Sequence, residues 1–102
     1  MSTTFSTDST VNATPLRLDS ALSAQIQVLG DALRAKGWSV SSAESCTGGG
    51  IAFAFTSVSG SSDWFNQSWV TYSNSAKQSR LGVTEQTLVE YGAVSQQTVK
   101  EM

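Results

Sequence analysis

The first clear pattern in the chain is a row of large apolar residues spaced about one helical turn apart. Asp19 and Ser20, each able to cap a helix, stand before this row, and Gly37 stands after it. The row consists of Leu22, Ile26, Leu29 and Leu33. The spacing therefore predicts an amphipathic helix that begins at Asp19 or Ser20 and ends at Gly37.

A strand and a second helix are predicted directly after the first helix. Residues 38–43 alternate between apolar and serine positions at their start, which indicates a short strand. The stretch AESCTGGGIAFAF, at residues 43–55, overlaps the end of this predicted strand. From about Thr47 this stretch predicts a buried helix with a glycine-rich first turn, and the turn SGSSD at residues 59–63 closes it. The predicted order is helix, strand, glycine-rich turn and helix.

The rest of the chain predicts one more strand and three short helices. Residues 67–72 are rich in side chains that favour strands, and Ser73 or Asn74 can cap the helix that follows. Two further helices are predicted over residues 84–91 and from Ser95 onward. Because two strands do not enclose a core of their own and the last helix is cut short, we expect a truncated domain.

Composition narrows the classes of function. The 102 residues suit one small domain, in which residues 1–18 are predicted to be a disordered Ser/Thr-rich leader and residues 19–102 the folded part. The net charge of -2, without a basic run, argues against nucleic acid as a partner. Apolar runs too short for a bilayer and the lack of a secretory signal predict a cytoplasmic protein without a membrane partner.

Cysteine and histidine usage limit the chemistry further. One cysteine cannot form an internal disulfide, and the absence of histidine argues against a zinc site, so no metal is expected. Without an imidazole, a serine or cysteine nucleophile needs a lysine, a tyrosine, a carboxylate or a terminal amine as its base. This constraint directs the search for a catalytic site.

Ser45 is the candidate nucleophile. It lies just past the first predicted strand and beside Gly48 and Gly49, where the N–H groups of a helix N-terminus could hold a phosphate or an oxyanion. Cys46 is the rival nucleophile, although it could equally be a small packing residue. A glycine turn that serves only tight packing is the competing interpretation of the whole stretch.

The candidate base comes from the letters TYSNSAK at residues 71–77. If the two strands are neighbours, their ends meet, and Tyr72 and Lys77 could approach Ser45. Lysine can replace histidine if it loses enough hydration to be neutral near pH 7. In the alternative interpretation, Lys77 is a solvated helix residue and Tyr72 a half-buried strand residue. Glu44 could tune the site electrostatically or be a solvated turn residue.

Several short words occur in a fixed order along the chain. They are AESCTGG, TSVSGSSDWF, VTYSNSAK, LGV and GAVS. Together they closely resemble the CinA C-terminal domain family, the nicotinamide-nucleotide amidohydrolases, over residues 22–102. The resemblance implies a three-layer α/β/α sandwich, incomplete here. It also implies hydrolysis of the carboxamide of nicotinamide mononucleotide to nicotinate mononucleotide and ammonia, without a metal or an organic cofactor.

The resemblance also implies roles for individual residues. The family's catalytic serine, tyrosine and lysine correspond to Ser45, Tyr72 and Lys77. The expected substrate-binding residues are Glu44, Thr47, Gly48, Gly49 and Asn74. Lys77, helped by Tyr72, would take the Ser45 proton as the serine attacks the amide carbon. Ammonia would then leave, and water would release the acyl-enzyme.

Two departures from the family pattern leave alternatives open. Ser59 stands where the family usually has proline, and the family domain continues beyond the point at which this chain stops. The alternatives are a non-catalytic module that binds nucleotide phosphate and an inactive truncated paralogue. A homodimer is also possible, because tryptophans on a small sheet could form an interface.

Overall fold

A computed structural model describes residues 18–102 of the chain. The predicted leader lies outside the described residues, except for its last residue. The elements are α1 Ser20–Lys36, β1 Val40–Glu44, α2 Gly50–Thr56, a 3-10 turn Ser61–Asp63, β2 Phe65–Val70, α3 Asn74–Leu81, α4 Glu85–Tyr91 and α5 Gln96–Glu101. No helix in this part of the chain is both long and apolar enough to cross a membrane.

Helix α1 has the ends that its sequence predicts. Asp19 is the N-cap, and its Oδ1 accepts the N–H of Ala21 at 2.6 Å. At the other end Gly37 adopts a left-handed conformation with φ 67°, and its N–H donates to the Arg34 carbonyl at 3.1 Å. The predicted helix from Asp19 or Ser20 to Gly37 is therefore confirmed.

The two strands form a parallel sheet, which confirms the predicted α/β class. Val40 pairs with Phe65 at one end, and Glu44 pairs with Val70 at the other. Parallel strands need a crossover connection, and here it contains α2 and the 3-10 turn. Both strands consequently end at the same edge of the sheet.

Both predicted strand ranges were displaced by about two residues. Pairing begins where the Val40 N–H donates to the Trp64 carbonyl at 2.7 Å, so Trp38 precedes the strand. The Trp38 ring is 62% exposed, with the Lys36 ammonium 5.0 Å from its centroid. Strand β2 begins earlier than predicted because Phe65 pairs with Val40. The periodicity was correct, but the partner strand determines where each strand begins.

The predicted start of the second helix was also wrong. Gly48 and Gly49 have φ values of 61° and 104°, and α2 begins only at Gly50. These left-handed conformations favour glycine and exclude both residues from a right-handed helix. The two glycines therefore form the turn that leads from β1 into α2.

The apolar core lies between α1, α2 and the start of β2. Ile26, Val58 and Trp64 are its buried members. Trp64 is 1% exposed, and its ring meets the edge of the Phe55 ring at a centroid distance of 5.5 Å. Phe55 makes a second edge contact with Phe65, also at 5.5 Å. This aromatic cluster fixes α2 against the start of β2.

Helix α1 approaches Trp64 closely because it carries a glycine at the point of contact. A Cβ atom on Gly30 would lie 2.5 Å from the Trp64 Nε1 atom and 2.8 Å from its Cε2 atom. Real Cβ atoms do not approach other heavy atoms so closely. The ring is held by the aromatic cluster, so a side chain at position 30 requires α1 to move.

The C-terminal helices are tied to one another through Glu101. Its Oε1 accepts the Thr84 N–H at 2.9 Å, and its other oxygen accepts the Thr87 hydroxyl. The hydrogen bond from Thr87, followed by that from Thr84, lowers the pKa of Glu101. These contacts connect the end of α5 to the start of α4 and so hold α5 in place.

Replacing Gly30 with alanine is expected to destabilise the fold. At an exposed helix position this change would stabilise by about 1 kcal/mol. Here overpacking against Trp64 costs about 1 to 3 kcal/mol, so we expect a net loss in urea denaturation. Gln27→Ala, at an exposed position of the same helix, is the control and should change little. A gain in stability for Gly30→Ala would refute the close contact.

Candidate active site

The candidate site lies at the edge of the sheet where both strands end. Glu44 pairs with Val70 in the last register position, and the Glu44 carbonyl accepts the Thr71 N–H at 3.0 Å. Ser45 follows β1, and Thr71 and Tyr72 follow β2. The expectation that the two strand ends meet is therefore confirmed. In open α/β sheets this carboxyl edge is where ligands bind.

The Glu44 side chain is the most heavily bonded group at this edge. Its Oε1 accepts the Thr47 hydroxyl at 2.5 Å and the Ile51 N–H at 2.8 Å. Its Oε2 accepts the Ala52 N–H at 3.0 Å and the Ser68 hydroxyl at 3.2 Å. Glu44 is only 4% exposed, so the interpretation as a solvated turn residue is wrong. Its carboxylate caps helix α2, whose N-cap residue has no side chain.

Burial and hydrogen bonding shift the pKa of Glu44 in opposite directions. Burial has the largest single effect and raises the pKa of this carboxyl. The four hydrogen bonds, led by that from Thr47, together outweigh burial, so the net pKa is lower than its ordinary value of 4.5. Glu44 is consequently a carboxylate at neutral pH, and its charge lies at the positive end of the α2 dipole.

A row of serine hydroxyls extends this network along the sheet. The Ser42 hydroxyl donates to the Ser68 oxygen at 2.9 Å, and the Ser68 hydroxyl donates to Glu44. Ser42 and Ser68 are partners in the strand register. The row thus connects both strands to the start of α2. The sequence analysis did not predict this network, because the alternation in each strand does not reveal which serines face each other.

The glycine turn is closed by its own backbone. The Gly48 N–H donates to the Ser45 carbonyl at 3.0 Å, and the Gly50 N–H donates to the Thr47 carbonyl at 3.1 Å. The N–H groups of Ile51 and Ala52 point to Glu44. The N–H groups that would form an anion site at the start of α2 therefore already bind the protein's own carboxylate.

A cavity of about 270 Å³ opens beside the end of β1. The first wall is formed by Ala43, Glu44, Ser45, Cys46, Thr47 and Ile51. The second wall is formed by Ala93, Val94, Ser95, Val99 and Met102. The cavity is mainly apolar, with Ser45 half-buried and Cys46 exposed beside it. The exposure of Cys46 does not support the interpretation of this residue as a buried packing residue.

Lys77 and Tyr72 lie at the end of the neighbouring strand. Lys77, in α3, is 1% exposed, and its ammonium donates to the Tyr72 carbonyl at 2.8 Å. The interpretation of Lys77 as a solvated residue is therefore wrong. The Tyr72 side chain is 75% exposed, so the alternative interpretation of Tyr72 as a half-buried strand residue is also wrong. Asn74 is exposed at the first position of α3.

The structure therefore divides the predicted site residues into two groups at one edge of the sheet. Glu44, Ser45 and Thr47 line the cavity, whereas Tyr72 and Lys77 are not among its lining residues. Gly48 and Gly49 form the turn between β1 and α2. Within residues 18–102, no hydrogen bond joins the Ser45 hydroxyl to the Lys77 amine.

The second wall of the cavity was missed in the sequence analysis. Residues 93–102 supply it, although they lie about fifty positions after Ser45 in the chain. The word GAVS, at residues 92–95, was a signal for this wall because it was one of the words that carried the family resemblance. Nothing in the spacing of that word shows that it faces Ser45, since the contact depends on how α4 and α5 pack.

A parallel α/β sheet with a serine and a buried lysine at its carboxyl edge defines the class of domain, and comparison identifies the family. The model of the CinA C-terminal domain matches residues 22–102, so the chain belongs to this family. Nicotinamide-nucleotide amidohydrolase PncC from Enterobacter agglomerans is 62% identical over 74 residues, covering 72% of this chain and 45% of that protein. PncC from Escherichia coli K12 is 50% identical over 84 residues, covering 82% and 51%.

Solved structures agree with this assignment. The competence/damage-inducible protein CihA from Agrobacterium tumefaciens superposes with a TM-score of 0.82 at 40% identity, covering 86% of this chain and 53% of that one. A CinA superfamily protein from Escherichia coli gives 0.75 at 30% identity, covering 84% and 51%. The expected fold type is thus confirmed, and the chain spans about half the length of these relatives.

Replacing Glu44 with glutamine is expected to destabilise the fold by about 1 to 2 kcal/mol near pH 7, because charge-assisted bonds at the helix start are weakened. The folded-state pKa of Glu44 is lowered, so its stabilisation is fully present above the ordinary value of 4.5. It is lost as the pH falls through the folded-state pKa. The difference between wild type and Glu44→Gln should therefore shrink in acid.

Urea denaturation at several pH values measures this difference. Glu90→Gln, at an exposed position of α4, is the matched control and should change stability by less than about 0.5 kcal/mol. A Glu44→Gln variant whose stability matches the control at pH 7 would contradict the capping role.

Proposed function

We propose that this chain carries the nucleophile-bearing part of a nicotinamide-nucleotide amidohydrolase. The reaction is hydrolysis of the carboxamide of nicotinamide mononucleotide to nicotinate mononucleotide and ammonia. The observation that carries the proposal is the pairing of two features at one edge of the sheet. Ser45 lines a cavity, and Lys77 is a buried amine that has no acidic partner among residues 18–102. The names of relatives 50% to 62% identical support the substrate class.

Ser45 is the nucleophile and Lys77 is the base in this proposal. The chain contains no histidine, so the usual base for a serine is unavailable. Among residues 18–102, the Lys77 ammonium has one hydrogen-bond partner, a carbonyl oxygen. As the base, Lys77 accepts the proton at its ε-nitrogen, which this single bond holds beside the end of β2. Tyr72 assists by holding the Lys77 nitrogen through its carbonyl oxygen.

The proposed reaction has two halves. In the first, the Ser45 oxygen attacks the carboxamide carbon while its proton passes to the Lys77 amine. The tetrahedral intermediate then collapses, and ammonia leaves with a proton returned by Lys77. In the second half, water attacks the resulting ester with Lys77 again as base. Nicotinate mononucleotide is released, and Ser45 regains its proton.

The geometry also favours one orientation of the substrate. The apolar cavity suits the flat nicotinamide ring and brings its carboxamide to Ser45. The Glu44 carboxylate occupies the start of α2, so a phosphate there would meet a negative charge in place of free N–H groups. In this proposal Thr47, Gly48 and Gly49 shape the pocket around Ser45. Asn74, exposed at the start of α3, contacts a polar part of the nucleotide.

The position of the Glu44 carboxylate at the start of α2 argues against a simple phosphate-binding module. That alternative needs the glycine turn and the start of α2 as an anion site. The N–H groups of Ile51 and Ala52 are instead bonded to Glu44.

Ser45→Ala is expected to abolish turnover. The chain is incubated with nicotinamide mononucleotide, and ammonia release is measured. We expect the variant to lose about a thousandfold or more in kcat, because in this proposal the acyl-enzyme forms on the Ser45 oxygen. Ser62→Ala, an exposed serine of the 3-10 turn, is the control and should retain activity. Loss of activity in Cys46→Ala with full activity in Ser45→Ala would reassign the nucleophile. Absence of ammonia with wild type would refute the proposal.

Lys77→Met should separate activity from stability. Methionine keeps most of the buried aliphatic volume but cannot take a proton, so we expect kcat to fall by about a hundredfold or more. Replacing a poorly paired buried charge by an apolar group is often neutral or stabilising, so unfolding in urea should not become easier. Lys100→Met, at an exposed position of α5, is the control and should retain activity. An active Lys77→Met variant would remove Lys77 from the mechanism.

A further inference from the structure

Thr71 carries a buried hydroxyl that the mechanism above does not use. The residue is 3% exposed, and within residues 18–102 its Oγ1 is a buried side-chain atom with no hydrogen-bond partner. Leaving a buried hydroxyl unpaired is costly, and such groups concentrate at functional sites. By contrast, the hydroxyl of the fully buried Thr98 donates to the Gly92 carbonyl at 2.8 Å. Thr71 therefore differs from a structural threonine of this fold.

The register of the sheet places Thr71 at the strand end that carries the proposed pair. Glu44 pairs with Val70, so Thr71 and Ser45 are the next positions on their two chains. The Thr71 N–H also donates to the Glu44 carbonyl, which holds the two chains together at this level. Ser45 and Thr71 are thus the first residues beyond the paired strands, at the same edge of the sheet.

Thr71 is also next in the chain to the residue that holds Lys77. The next residue, Tyr72, supplies the carbonyl oxygen that accepts a hydrogen bond from the Lys77 amine. No hydrogen bond joins Ser45 directly to Lys77 in the described residues, and the exposed Tyr72 side chain is poorly placed to reach a buried amine. A hydroxyl can accept one hydrogen bond while donating another. Thr71 is thus a buried hydroxyl at the same strand end as both groups.

We propose that Thr71 is a further catalytic residue whose hydroxyl relays a proton from Ser45 to Lys77 during the reaction. This inference rests on the proposed function. As the Ser45 oxygen bonds to the carboxamide carbon, its proton passes to the Thr71 oxygen, and the Thr71 proton passes to the Lys77 amine. Thr71 ends as it began, and Lys77 carries the proton that ammonia later takes. In the resting fold the hydroxyl bonds neither group, and in this proposal both bonds form only when the substrate is bound.

The test compares Thr71→Val with Thr71→Ser in the intact chain. Valine has nearly the same shape but lacks the hydroxyl, so we expect kcat to fall by about tenfold to a hundredfold with KM little changed. The melting temperature should stay the same or rise by a few degrees, since an unpaired polar atom is removed. Serine keeps the hydroxyl and should restore kcat to within a few-fold of wild type.

Thr98→Val is the matched control for stability. It removes a buried hydroxyl that is already paired, so its melting temperature should fall. If Thr71→Val also melts lower and keeps wild-type kcat, Thr71 is structural and the inference is overturned. If Thr71→Ser fails to restore kcat, the bridging hydroxyl is likewise refuted. If wild type releases no ammonia, the proposed function itself fails and the inference falls with it.

Discussion

The hydrogen bonds of the Glu44 carboxylate are the constraint on which the rest of this site depends. Glu44 ends β1, contacts Ser68 of the partner strand and caps α2 through two backbone N–H groups. One buried side chain thus fixes the strand end, the neighbouring strand and the next helix relative to one another. The turn that carries Ser45 lies between these fixed points. Its conformation follows from Glu44 and from two glycines that tolerate positive φ.

In this arrangement Glu44 and Ser45, which are neighbours in the sequence, have different roles. Glu44 provides rigidity and a fixed negative charge, so in our proposal it keeps the phosphate away from the start of α2 and turns the carboxamide toward Ser45. Lys77 approaches from the neighbouring strand end, where burial removes most of its hydration. The site is therefore a junction of two strand ends, and a parallel sheet provides such a junction without long connecting loops.

Much of this could be predicted from the sequence, for physical reasons that differ between elements. Helix α1 was predictable because its caps and its apolar spacing are local properties, and Ser45 was a candidate because the missing histidine redirects the search to lysine. Strand limits were misjudged because pairing with the other strand sets them. The burial of Glu44 and Lys77 was not predictable, since it depends on tertiary contacts. The sequence alone does not show whether a charged side chain accepts four hydrogen bonds or is exposed to water.

The central claim is that the Glu44 carboxylate, and no external anion, occupies the start of α2. Nuclear magnetic resonance tests it most directly, by following the Glu44 side-chain carboxyl carbon and the amide protons of Ile51 and Ala52 as the pH is lowered. The account predicts that all three signals titrate together, with a pKa below the ordinary 4.5. It also predicts that added inorganic phosphate leaves the two amide protons unchanged near pH 7. Titration of Glu44 at or above its ordinary value, or phosphate-dependent shifts of those amides, would contradict it.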